Sequence, residues 1–72
     1  MSNVIDVMKV VQRSYPTCTI IDSTLEDDGF IADKCHEKPI DKDFGKDGKY
    51  SVRLCTGSFN VYILDIKEKS VE

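Results

Sequence analysis

The chain has 72 residues, of which 40% are apolar and 32% charged, and its formal net charge is −3. This length sets a single domain, residues 1–72, with a core of about a dozen side chains. It excludes a second lobe, a dinucleotide fold or a deep catalytic cleft, and the ordinary apolar share excludes a wholly disordered chain.

The charge is uneven. Residues 22–47 hold nine carboxylates against four lysines, net −5, and the remainder nets +2. No basic run exists, so direct nucleic-acid binding and an anionic membrane surface are not expected. The first residues, Met1 to Asp6, lack the basic start of a signal peptide, and no apolar run is long enough to span a bilayer. The expected setting is cytoplasmic, with Cys18, Cys35 and Cys55 as reduced thiols.

Residues 3–14 read as a helix. Val4, Val7, Met8 and Val11 follow the i, i+3, i+4, i+7 spacing, while Asp6, Lys9, Gln12 and Arg13 share the opposite side. Ser2 or Asn3 supplies the N-cap. Tyr15-Pro16 ends the helix, because a residue before proline disfavours helical backbone. Valines are mediocre helix formers, so this helix depends on packing.

Residues 17–24 (TCTIIDST) are β-branched and read as a strand. Asp28-Gly29 marks a turn, and residues 30–34 read as a returning strand. Residues 35–48 are a polar loop in which Pro39 and Gly45 bracket one candidate helical turn, with Ile40 and Phe44 on one side. Residues 49–56 and 59–66 flank Gly57-Ser58 and read as a hairpin. In that register Leu54 faces Val61 and Val52 faces Ile63, with Tyr50 extending the apolar face. Residues 67–72 form a charged, frayed tail. The fold class is α+β, with the N-terminal helix packed on one face of a small antiparallel sheet, in the order α-β-β-loop-β-β.

Candidate chemistry is sparse. Cys18, Cys35, His36 and Cys55 are a legitimate zinc set by type, but no two stand at knuckle spacing. A Cys18–Cys35 disulfide lies within reach of the first hairpin, although reduced thiols are expected. His36 is adjacent to Cys35, a poor arrangement for a nucleophile and its base. A calcium loop starting at Asp43 puts Gly45 and Leu54 where oxygen ligands are needed. No cofactor, metal or catalytic residue is expected, so the chain reads as a non-enzyme.

That leaves surface. One helix covers only one sheet face, so the other is wet, paired or docked. Its expected residues are Arg53, Cys55, Asn60, Tyr62 and Leu64, with Arg53 opposite Tyr62 for a cation–π contact. A second candidate surface is the acidic loops: Glu26, Asp27, Asp28, Asp41, Asp43 and Asp47. The expected function is a small protein-binding regulator or inhibitor. The alternatives are a homodimeric structural module and a Cys/His metal- or redox-responsive protein. In size, acidity and helix-plus-sheet layout the chain resembles the varied small inhibitors encoded by bacteriophages, such as anti-CRISPR proteins and inhibitors of host polymerases. The resemblance rests on those general features and on no motif; it implies a protein partner in a host cytoplasm.

Overall fold

A computed structural model describes residues 3–69, apart from 28, 30 and 32. The N-terminal helix α1 (Asn3–Ser14) precedes, among the described residues, a four-stranded sheet made of β1 (Thr19–Asp22), β2 (Ile40–Phe44), β3 (Tyr50–Gly57) and β4 (Asn60–Glu68). A short 3-10 turn, Lys46–Gly48, links β2 to β3. The fold is α+β, as its sequence implies, but the sheet is mixed. Its order is β1-β4-β3-β2. β1 runs parallel to β4, whereas β2–β3 and β3–β4 are antiparallel.

Two expectations about the middle of the chain are corrected. The expected strand over residues 30–34 does not form at its described positions, 31, 33 and 34, while 30 and 32 lie outside the described residues. Ile31 donates its N–H to the Asp27 carbonyl (3.1 Å) and Lys34 to the Ile31 carbonyl (2.8 Å), the bonding of helical turns. Ile31 and Cys35, four apart, both face the sheet. The segment expected to be a loop contains β2, which completes the order α-β-β-β-β. Four of its five residues are exposed, as suits an edge strand, and only Phe44 is buried.

The β3–β4 hairpin forms, with its partners shifted by two residues. Leu54 faces Ile63, Thr56 faces Val61, and the loop is Ser58-Phe59. A shift of two preserves the faces, so Val52, Leu54, Val61 and Ile63 still share one side. A bulge then intervenes: Arg53 pairs with Asp65, so Leu64 has no opposite number. One extra residue exchanges the faces beyond it, and this turns Ile66 rather than Asp65 toward the core.

The main core lies between α1 and the sheet. Val7 and Val11 pack on Ile20, Phe44, Tyr50, Val52, Leu54, Val61 and Ile63. A smaller cluster lies on the outer face, where Ile31 packs on Cys55 and Tyr62 with Ile21, Cys35 and Leu64 beside them. The chain from β1 to β2 therefore crosses the outer face and covers part of it. Lys67 and Glu68, expected in a frayed tail, are the last residues of β4, and the rest of that tail beyond Lys69 lies outside the described residues. Among the described residues no helix is long and apolar enough to cross a membrane.

Candidate functional site

The end of the sheet that carries the β3–β4 turn gathers several unusual features. His36 donates its backbone N–H to the Thr56 carbonyl (2.8 Å), which ties the crossover segment to β3. Cys35 and Cys55 are joined by a disulfide, with their Cα atoms 5.9 Å apart. That separation is normal for a bridge. It replaces both the reduced thiols expected from the sequence and the Cys18–Cys35 pairing. The reason is topological: β1 pairs with β4, which leaves Cys18 packed on the helix-side core, while Cys35 lies on the other face.

Beyond the bridge stands the turn. The His36 Nε2 and Ser58 Oγ are hydrogen-bonded at 3.3 Å. Thr19 donates its N–H to the Phe59 carbonyl (2.9 Å), so the start of β1 pins the turn from its other side. Phe59 itself has φ 60 and is 79% exposed. A positive φ at the second residue of a turn is a glycine position, and a bulky side chain there is an outlier. The ring gains little burial in return. No sequence signal marked Phe59, because Gly57-Ser58 drew the turn one residue earlier.

The expected outer-face residues separate by depth. Cys55 (1% exposed) and Tyr62 (8%) lie beneath the crossover. The Tyr62 hydroxyl accepts a hydrogen bond from Asn60 Nδ2 (3.1 Å). Arg53 is exposed, but it lies between Asp41 on β2 and Asp65 on β4, and the residue across from Tyr62 is Cys55. Leu64 and Asn60 are half-buried. The exposed lower half of this face is thus a mixed-charge row rather than an apolar patch.

The acidic residues are scattered over the surface. Glu26 and Asp27 are exposed beside Leu25, and Asp28 lies outside the described residues. Asp41 and Asp43 are exposed on the outer edge strand, and Asp43 accepts an ion pair from Lys69 (2.7 Å). Asp47 occupies the 3-10 turn at φ 58.

For metal chemistry, two of the four zinc candidates are bonded to each other, and among the described residues no three His, Cys, Asp or Glu side chains stand together as an ion would need. The His36–Ser58 pair has the residue types of a base and a nucleophile. Both are exposed, however, and among the described residues no group bonds the second ring nitrogen of His36 to orient it. Comparison of the chain with protein-family models, with curated proteins and with solved structures finds no significant match. The fold and these surfaces are therefore the basis for a functional reading.

Proposed function

We propose that this chain is a small non-enzymatic protein-binding regulator that works by covering part of a partner's surface, with Phe59 as its anchor. The observation that carries this reading is the combination of strain, pinning and exposure at Phe59. The residue keeps a left-handed backbone that disfavours it, is held there by Thr19, and presents its ring to solvent. Strained positions persist where function selects them, and rigid aromatic side chains are frequent interface anchors. The exposed carboxylates Glu26, Asp27, Asp41 and Asp47 add an acidic exterior that favours a partner with a basic surface, whose binding weakens with salt. Arg53, Asn60 and Leu64 offer accessible atoms on the outer face, while Cys55 and Tyr62 support that face from beneath. Small size and acidity support placing the protein with inhibitors of the bacteriophage type.

A redox-responsive form of the same reading is favoured by one observation, the Cys35–Cys55 bridge. It clasps the crossover over Tyr62, so its reduction by a cellular dithiol would loosen that cover.

Affinity capture from cell lysate with the wild-type protein and with Phe59→Gly tests the main reading. Glycine removes the ring and relieves the backbone, so the variant stays folded. A partner retained by the wild type and lost by the variant is the expected result. An identical set of captured proteins, unchanged also by charge reversal at Glu26, Asp27, Asp41 and Asp47, overturns it.

A further inference from the structure

A second surface lies on the opposite side of the molecule from the crossover. Among the described residues β1 is an edge strand, with β4 on one side only. Thr19 and Ser23 donate their N–H groups toward β4. By the alternation of a strand, the N–H and C=O of Ile20 and Asp22 then point out of the sheet. Beside this edge, between it and α1, runs an open groove of about 550 Å³ lined by Ile5, Met8, Lys9, Gln12, Arg13 and Ile20.

Its chemistry is specific. Ile5 is 60% exposed although it belongs to the amphipathic helix. Lys9 and Arg13 follow it along one helical ridge and make no ion pair among the described residues. They form a local basic lip on an acidic protein. The Gln12 amide donates to the Tyr15 and Cys18 carbonyls (both 2.9 Å), which fixes the C-terminal end of α1 at the start of β1. The groove is thus basic toward the start of β1 and apolar farther along. Asp22 ends β1, and its carboxylate accepts hydrogen bonds from the Thr24 N–H and hydroxyl.

We infer that this groove and the β1 edge bind an extended acidic segment of another protein, added as an antiparallel strand with an apolar residue over Ile20 and acidic residues against Lys9 and Arg13. The spacing supports it. Residues four apart on a helix lie about 5–6 Å apart, and same-face residues of a strand repeat at roughly 6–7 Å. An apolar-x-acid-x-acid pattern therefore meets Ile5, Lys9 and Arg13 in turn. Strand addition to an edge supplies the main-chain bonds and the lip supplies selectivity. The charge argues against a second copy, because the β1 of such a copy brings one carboxylate, Asp22, already engaged with Thr24.

The test uses the intact, isotope-labelled protein and a blocked peptide, Thr-Val-Thr-Glu-Thr-Glu-Thr, with a lysine-for-glutamate control. The expected result is amide shifts clustered at Ile5, Met8, Lys9, Arg13 and Ile20, with slowed exchange of the Ile20 and Asp22 amides. The double variant Lys9→Glu/Arg13→Glu should weaken binding about three- to thirtyfold. Phe59→Gly should leave it unchanged, which separates this site from the hairpin-tip reading. Equal binding of the lysine peptide, shifts elsewhere, or protection of Ile20 and Asp22 that grows with protein concentration alone would overturn the inference, the last by showing a second copy on the edge.

Discussion

The carbonyl oxygen of Lys34 lies where the Cβ of a side chain at Gly57 would have to be. The crossover segment rests so closely on the end of β3 that only glycine fits there, and the His36 N–H bond to Thr56 fixes that approach. Gly57→Ala should therefore force backbone against backbone. The expected loss is about 1–3 kcal/mol of unfolding free energy, as for other overpacked sites. Urea denaturation measures it. A midpoint unchanged from wild type would mean that the segment stands off the strand.

That close approach is invisible in the sequence, whereas other parts of the fold were legible there. α1 was legible because Val7 and Val11 repeat at helical spacing and both are fully buried. The faces of β3 and β4 were legible because apolar residues alternate along both strands. Their register was not, because the turn places Phe59 at a positive φ where composition points to glycine. β2 was hidden for a related reason: an edge strand reading Ile-Asp-Lys-Asp-Phe buries one residue and carries no apolar alternation. The parallel β1–β4 pairing joins residues 41 apart, as in Thr19 with Asn60, and no local pattern encodes so distant a partner. Of the candidate surfaces, Arg53 and the acidic residues were visible as charges, but the cover over Cys55 and Tyr62 depends on the crossover path.

The Cys35–Cys55 bridge closes a loop across a sequence separation of 20 residues. A loop of that size constrains the unfolded chain by about 3 kcal/mol. Reduction, or the double variant Cys35→Ser/Cys55→Ser, should lower stability by about that amount. Amide exchange should quicken first at Ile31, Lys34 and His36, which the bridge holds near the sheet. Cys18→Ser should leave these amides unaffected, since Cys18 packs on the helix side. Uniform acceleration across the whole sheet would count against a local clasp.

Two leucines of opposite exposure provide an internal control. Leu54 is fully buried between α1 and the sheet, whereas Leu25 is 97% exposed. Leu54→Ala should cost about 2–5 kcal/mol through lost burial and the cavity left behind. Leu25→Ala should change stability by less than about 0.5 kcal/mol. Equal effects in thermal or urea unfolding would contradict the packing described.

Lys49 offers a titration test. Its ammonium is held above the usual lysine range, first by the hydrogen bond to Glu68 and then by the nearby charges of Tyr50 and Glu68. The Lys49 Nζ to Glu68 Oε2 distance is 3.2 Å. A raised folded-state pKa favours the native state while lysine is protonated in both states. That contribution disappears as pH rises from the unfolded value through the folded one, so the effect is confined to alkaline solution. Glu68→Gln should lower the Lys49 midpoint in an NMR titration, and added salt should do the same. A midpoint insensitive to both would show that the pair is not formed in solution.

Phe59 and Asp47 are the two described residues other than glycine with positive φ, at 60 and 58. They should respond differently to glycine. Aspartate tolerates left-handed backbone, so Asp47→Gly relieves little and adds freedom to the unfolded chain. A small loss of stability, about 0.5 kcal/mol, is expected. Phenylalanine carries a larger strain, about 1–2 kcal/mol, and its exposed ring contributes little burial to offset it. Phe59→Gly should therefore gain roughly 0.5–1 kcal/mol after the unfolded-state penalty. A variant that is more stable and yet loses its partner would tie the strain to binding, because selection for folding alone favours glycine at this turn. A Phe59→Gly protein less stable than wild type would instead assign the ring a packing role.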